Sequence, residues 1–488
     1  MRAVAMIPDR SIALALAVLT ALSRIPLTAG RLWEWDSVLY ARSLELGFHV
    51  DDVLAGSRPH PPGYILYVAS AAVGRALGLD SDHALIAVGI VASAAGTAAC
   101  YLLCRRFAGR GLSIGLSVAF ATSPLVWLHG EVAMPYILLA PISAGLALAF
   151  RDARRAGGRR IVVTSLAFGA LGGFRQDLLL FLLPLWVWSL IGTTVRSRIA
   201  AIAALISGCL VWFTPSALLS DGPILYVARS ARQLTGLGAT SANGERSIPL
   251  NLVLIGDSLL WAGLTVTVLV FVLGLARALA GARGQRLADD GEARFFAIWL
   301  LPALLFYLFV HIGEWGFVLS LVPGLYVLVA WLLGPLTRRS PGARRVATGA
   351  MYATAILGAV LFLAGDHPVF SRASLLEHDR STDAKTAYIR DQLPAGTTVV
   401  FARAEALVAS YYLPEYSVRY ADRAATTTYD LRTTGITTIV VYESAARPVA
   451  TGPSRLVVGP GVTLELIGVA PATVVVVPGP DLGDLRIR

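Results

Sequence analysis

The amino-acid sequence predicts a polytopic α-helical membrane protein of about eleven spans, followed by a small extracytoplasmic α/β domain. Three observations carry this expectation. Of 488 residues, 56% are hydrophobic and only 15% charged, whereas a soluble chain carries roughly 25% charged residues. The apolar residues fall in successive runs of about 17–25, the length that crosses a hydrocarbon core of roughly 30 Å. After Asp366 the composition shifts to short β-rich runs with helical stretches between them.

The first apolar run, 11–29, follows Arg2 and Arg10 and is interrupted by Arg24. No small-x-small cleavage site precedes Arg31, so the run reads as an uncleaved first span. Further spans are expected at 83–104, 111–129, 135–150, 161–174, 178–193, 199–219, 251–276, 295–311, 317–336 and 346–364. Stretch 61–80 opens with Pro61-Pro62 and contains Arg75, and is read as an amphipathic helix along the interface. With that choice, Arg105/Arg106/Arg110, Arg151/Arg154/Arg155/Arg159/Arg160, Arg196/Arg198, Arg277/Arg283/Arg286/Arg294 and Arg338/Arg339/Arg344/Arg345 all fall on one side with the N-terminus. Counting 61–80 as a span would scatter them. By the positive-inside bias that side is cytoplasmic. The excess of 41 Lys+Arg over 31 Asp+Glu is therefore a topology signal, and nucleic acid is not an expected partner.

The domain reading is 1–365 for the membrane part, with 30–82 as its first outer loop, and 366–488 for the α/β part. The runs Thr397–Phe401, Thr437–Tyr442 and Ala472–Val477 are the expected strands. Cys100, Cys104 and Cys209 lie in or beside apolar segments and read as small buried hydrophobes. No inverted repeat of the transporter kind is visible.

This topology gathers acids and histidines at the outer ends of the spans. Asp36, in Trp33-Glu34-Trp35-Asp36-Ser37 just past the first span, is placed to meet a lipid phosphate at the interface and an acceptor from water. A carboxylate there is suited to general-base chemistry; the alternative is an Asp capping a helix Ser37–Leu46. Glu34 reads as structural. His60-Pro61-Pro62-Gly63-Tyr64 follows, and Ser123-Pro124-Leu125-Val126-Trp127 leads to Gly130-Glu131 at another outer turn.

In these features the chain resembles the GT-C glycosyltransferases, specifically the protein O-mannosyltransferase and aminoarabinose–lipid A transferase branch. The resembling residues are Trp35-Asp36-Ser37-x-x-Tyr40-Ala41, His60-Pro61-Pro62-Gly63-Tyr64 and the Ser123–Val132 segment, over roughly residues 10–190. The resemblance implies an inverting membrane glycosyltransferase that uses a polyprenyl-phosphate sugar donor and an extracytoplasmic protein, lipid or glycan acceptor. It makes Asp36 the catalytic base and gives Glu131 the role of positioning the acceptor or tuning the site. Tyr40, Pro61, Pro62 and Tyr64 support the site.

A lipid-phosphate leaving group calls for a cation. Arg175, in Gly172-Gly173-Phe174-Arg175-Gln176-Asp177, offers a planar fork for phosphate oxygens, or else an ordinary ion pair with Asp177. His60 is a phosphate ligand, a partner of the Asp36 loop, or a turn residue held by its prolines. Arg229, Arg232 and Arg246 in loop 220–250 are alternative cations. At His311-Ile312-Gly313-Glu314-Trp315-Gly316-Phe317, where relatives often carry Lys or Arg beside Tyr, His311 is the phosphate candidate and Trp315 an interfacial anchor. No cofactor is demanded. Asp36, Glu131 and the histidines are the residues that would gather a divalent metal, though no ligand spacing compels one. A transporter or flippase for a lipid-linked sugar is the alternative function; it calls for ionisable residues near span centres.

Overall fold

Inside a bilayer no water satisfies peptide groups, so apolar runs must close their hydrogen bonds internally as helices. The computed structural model describes all residues except 1–6, 52–57, 240–247, 283–289, 404, 421–425, 431–434, 443–448, 453–454, 460–461, 468–472, 477–485 and 488. Arg246, Arg283 and Arg286 lie outside the described residues. The chain divides into two compact units, 1–28 with 42–374, and 29–41 with 375–488.

The first unit contains α1 (Asp9–Arg24), the end of α2 (Trp35–Leu46), α3 (Ile65–Ala76), α4 (Ser81–Cys104), α5 (Arg110–Thr122) and α6 (Pro124–His129). It continues with α7 (Leu139–Ala156), α8 (Gly158–Leu171), α9 (Asp177–Leu190), α10 (Val195–Leu218) and α11 (Pro223–Ala239). Helices α12 (Ile248–Gly263), α13 (Thr265–Ala282), α14 (Asp290–Phe309), α15 (Val322–Arg339) and α16 (Pro341–Ala364) complete it. Among the described residues, six segments are long and apolar enough to cross a membrane: Asp9–Leu27, Ser81–Cys104, Pro135–Ala156, Val195–Leu218, Gly291–Phe309 and Pro341–Ala364.

Local chemistry explains where the expected spans are interrupted. The run 251–276 is not one straight span: α12 and α13 bend by 112° at Leu264, whose φ is +47°. Thr267 Oγ1 donates to Leu259 O at 2.5 Å across the bend, supplying a hydrogen bond where helical pairing is interrupted. The run 111–129 breaks at Ser123, whose backbone is extended, and Pro124 opens α6 at the first helical position, where its missing N–H costs no helical hydrogen bond. Loop 220–250 is partly helical, as α11. Helix α3 has 12 residues, about 18 Å, and is too short to cross.

The arginine clusters, far apart in sequence, meet at one end of this unit. Arg105 and Arg110 both pair with Asp9, at 3.1 and 3.2 Å. Arg106 pairs with Asp152 at 2.8 Å and Arg151 with Glu292 at 2.5 Å. Arg154 donates to Trp188 O at 2.6 Å, and Arg338 donates to Phe107 O at 2.6 Å. These contacts join Arg105, Arg106, Arg110, Arg151, Arg154 and Arg338 at one end of the unit.

In the second unit, α17 (Arg372–Gln392) leads into β1 (Thr398–Ala402), α18 (Ala406–Tyr412), β2 (Ser417–Tyr420), β3 (Thr426–Asp430) and β4 (Thr438–Val441). Then come β5 (Val449–Gly452), β6 (Arg455–Gly459), β7 (Val462–Ile467), β8 (Thr473–Val476) and β9 (Arg486–Ile487). One sheet has the order β2-β1-β4-β8-β9, the other β3-β7-β6-β5. The three strands expected from sequence are neighbours, β1, β4 and β8, all parallel. Their continuous Val/Ile runs suit a sheet covered on both faces. The core gathers Ile389, Val400, Ala409, Leu413, Val440 and Tyr442, with Trp35 packed against it.

Helices α8 and α10 cross where glycine faces glycine. A Cβ on Gly169 would lie 2.2 Å from Leu205 O, and one on Gly208 2.3 Å from Leu166 O. Trp212 Nε1 donates to Gly169 O at 2.9 Å, joining the helices through a close backbone approach of the kind small residues permit. In an isolated helix Gly→Ala adds about 1 kcal/mol. Here Gly208→Ala should instead destabilise by about 1–3 kcal/mol, because the helices must part. Thermal unfolding in detergent checks the sign; an unchanged or raised Tm would show that the helices do not meet in this way.

Candidate functional site

The turn at His60–Tyr64 has an unusual backbone. The Pro61–Pro62 peptide is cis, Gly63 has φ +84° and Tyr64 has φ +47°. Gly63 is required: a Cβ there would lie 2.5 Å from Val50 Cγ2 and 2.9 Å from Phe48 Cζ. Tyr64 in the left-handed region is sterically costly for a bulky residue. His60 Nδ1 sits 2.8 Å from Pro61 O, which fits the turn-residue alternative. Tyr226 of α11 donates to Pro62 O at 3.1 Å, so loop 220–250 braces this turn.

This backbone carries the Tyr64 ring to Arg175. The Arg175 guanidinium carbon lies 4.9 Å from the Tyr64 ring centre, 4.8 Å from Tyr136 and 4.9 Å from Phe317. Its side chain is 3% exposed, and Nη2 reaches Asp177 Oδ2 at 2.8 Å. Nε reaches Asp177 Oδ1 at 3.3 Å. Of the two roles open for Arg175, the ion pair is the one present; its fork is occupied by a carboxylate. Burial alone would lower the guanidinium's pKa, but the Asp177 carboxylate outweighs it and holds the group well above the ordinary arginine value. Asp177 Oδ1 also accepts from Leu178 N at 3.0 Å at the start of α9.

The cage draws on four motifs separated in sequence: His60–Tyr64, the turn after Glu131, Gly172–Asp177 and His311–Phe317. His129 stacks edge-on to Tyr136 at 5.8 Å, Tyr136 meets Phe317 at 5.3 Å, and His311 meets Phe317 at 6.0 Å. Gly316 makes this possible, since a Cβ there would lie 2.5 Å from His129 Nε2 and 2.6 Å from Tyr136 Cγ. Tyr136 and Phe317 had no signal of their own in the sequence beyond lying beside the outer turns.

Glu131 is fully buried and accepts from Trp127 Nε1 at 2.6 Å. Burial pushes its carboxyl pKa up, while the Arg24 charge and the Trp127 hydrogen bond pull it back. The Arg24 guanidinium carbon stacks 4.3 Å over the Trp127 ring, and its Nη2 donates to Ala121 O. Trp127 in turn stacks on Phe362 of α16 at 5.0 Å. Arg24 is the polar partner that the sequence reading passed over. Its signal was an ionisable residue inside an apolar run, which is rare without a partner.

Asp36 lies in the second unit, on the first turn of α2, and is half-buried. The helix begins at Trp35, so Asp36 is inside the helix and not its cap. Ser37 Oγ accepts from Glu34 N at 3.4 Å, and Asp36 is well placed by the positive end of the helix dipole. The segment ahead of it is anchored to α17 and α18. Asp379 accepts from Gly30 N at 2.7 Å and Arg31 N at 3.0 Å. Tyr412 Oη accepts from Leu32 N at 2.9 Å, and His378 Nε2 lies 3.0 Å from Leu32 O. Trp33 stacks against His378 at 4.8 Å and Trp35 edge-on to Tyr420 at 5.7 Å. Tyr40 is buried in the same helix.

The alternative cation Arg229 is engaged as well, with Asp221 at 2.7 Å and Val50 O at 3.0 Å. Arg232 is exposed on α11. Among the described residues no three His, Cys, Asp or Glu side chains are grouped to hold a metal ion.

No protein-family model matches the chain, and no curated protein does. Solved structures do. ArnT from Cupriavidus metallidurans bound to undecaprenyl phosphate superposes with a TM-score of 0.58 at 14% identity, covering 85% of this chain and 86% of that one. The apo state of the same protein gives 0.55 at 16% identity over 85% and 86%. The chain therefore shares the fold of ArnT.

Removing one partner of a buried ion pair strands the other. Asp177→Asn should therefore lower stability by about 3 kcal/mol, and Arg175→Met combined with Asp177→Leu should cost less than the two single changes together. Unfolding midpoints of Asp177→Asn, of the two single changes and of the double variant check this. Strict additivity would mean that the two side chains act independently.

Proposed function

We propose that this protein is an inverting membrane glycosyltransferase that moves a sugar from a polyprenyl-phosphate donor to an acceptor outside the cytoplasmic membrane. The observation that carries the reading is the convergence of the outer-turn motifs on Arg175, in a chain with the fold of ArnT, which has been seen with undecaprenyl phosphate bound. The arginine-rich end would face the cytoplasm, and the Arg175 end and the second unit the opposite side.

In the proposed reaction an acceptor hydroxyl oxygen attacks the anomeric carbon of the donor. The bond from that carbon to the lipid-phosphate oxygen breaks, and the electron pair leaves with the phosphate. Asp36 takes the hydroxyl proton as the new glycosidic bond forms. Attack from the face opposite the leaving phosphate inverts the anomeric centre. Glu131, fixed by Trp127 and neighboured by Arg24, positions the acceptor side of the site. Arg175 and Asp177 form a fixed, net-neutral dipole in a desolvated setting, where a preorganised dipole acts more strongly than in water. With its fork held by Asp177, Arg175 acts as a fixed electrostatic feature; His60 and His311 are the proposed ligands of phosphate oxygens, His60 through Nε2 in its protonated form because Nδ1 is turned to Pro61 O.

Purified protein supplied with radiolabelled polyprenyl-phosphate sugars and an envelope extract tests this, with Asp36→Asn alongside. Loss of a general base should reduce transfer by about 10²–10⁴-fold with the unfolding midpoint preserved. Undiminished transfer by that variant would remove Asp36 from the mechanism. Label that crosses proteoliposomes without reaching any acceptor would favour a flippase.

A further inference from the structure

We propose that a cleft at the arginine-rich end of the first unit, where α5, α15 and α16 meet, binds the phosphate headgroup of an anionic phospholipid. The cleft has a volume of about 750 Å³ and is lined by Arg110, Arg338, Arg344 and Arg345, together with Thr348 and Tyr352 among others. No acidic side chain lines it among the described residues. Arg110 and Arg338 are pre-positioned. Arg110 Nη2 holds Asp9 at 3.2 Å and Ile7 O at 3.0 Å, and Arg338 Nη1 holds Phe107 O at 2.6 Å. Arg344 and Arg345 are exposed on the first turn of α16, and neither has an ion-pair partner among the described residues. Their guanidinium forks match phosphate oxygens.

Gly109, Gly111 and Gly349 contribute bare backbone to the lining. A Cβ on Gly109 or Gly349 would meet open space, while one on Gly111 would lie 3.6 Å from Thr348 Cγ2, where α5 and α16 approach. From Arg344 to Tyr352 the cleft follows α16 for about 12 Å. Exposed apolar side chains adjoin it: Leu336, Val346 and Tyr352 are 54%, 73% and 40% exposed. A free phosphate would use the arginines alone. A basic cradle continuous with exposed apolar surface fits a ligand with a charged head and an acyl chain. Basic pockets between membrane helices are a known mode of binding acidic headgroups. The site takes no part in the proposed sugar transfer, so its test does not depend on that reading.

The experiment uses full-length protein in detergent, titrated with phosphatidylglycerol or phosphatidylcholine and followed by native mass spectrometry and unfolding midpoint. Phosphatidylglycerol should be retained in preference and should raise the midpoint. Arg344→Gln with Arg345→Gln should weaken its binding by about tenfold to thirtyfold. Gly349→Trp, which adds bulk to the lining, should weaken it without removing charge. Arg196→Gln with Arg198→Gln, exposed arginines outside the cleft, should leave it as in the unmodified protein. Equal losses in both double variants would reduce the effect to general surface charge and overturn the site. Displacement of the lipid by inorganic phosphate at comparable concentration would overturn the lipid assignment in favour of a soluble anion.

Discussion

A guanidinium taken out of water must be paid back in kind, and at Arg175 the compensation organises one end of the first unit. Its charge is met by the Asp177 carboxylate at 2.8 Å and by three ring faces at 4.8–4.9 Å. Each ring comes from a different turn, so burying one cation requires three otherwise independent loops to arrive together. The requirement reaches into the backbone. Tyr64 accepts a left-handed conformation, and Gly316 leaves the space that a side chain would take from His129 and Tyr136. Pairing and cation–π contact reward that arrangement only when all partners are present.

The opposite end of the unit solves a different problem. There most of the arginines stay near water, tied to Asp9, Asp152 and backbone carbonyls, while Arg151 is buried against Glu292. Exposed pairs of this sort contribute little stability singly. Their effect is to bring short loops from distant helices to a common level, which the bias of basic loops toward one membrane face also demands. Between the two ends, close helix contact is achieved through small residues, as at Gly169 and Gly208, because lipid offers no hydrophobic drive for helices to associate.

Asp36 shows how a residue's setting can differ from its place in the chain. It follows the first span within a dozen residues of Arg24, yet its segment folds with α17, α18 and the parallel sheet. Backbone groups of Gly30, Arg31 and Leu32 find their hydrogen-bond partners on Asp379, Tyr412 and His378. Residues some 350 positions later therefore anchor the segment from which the Asp36 helix starts.

Much of this protein was legible in one dimension. Apolar run length, the sorting of arginines and the change in composition after Asp366 report the solvent each segment meets, and solvent acts on every residue locally. The motifs around Asp36, His60, Glu131, Arg175 and His311 were visible for the same reason, as polar groups standing out at the ends of apolar runs. Interruptions such as the 112° bend at Leu264 were not, since a break in a helix depends on which neighbours satisfy the freed backbone. Nor were the partners: that Arg175 would be caged by Tyr64, Tyr136 and Phe317, that Arg24 would stack on Trp127 beside Glu131, or that the Asp36 segment would join the C-terminal sheet. Those are contacts between residues distant in sequence, chosen by shape and by the cost of leaving a buried charge or peptide group unpaired. The sequence by itself determined the medium and the chemistry available at each turn; only the tertiary structure decided which turns meet, because desolvated polar groups accept whichever partner the packing brings within reach.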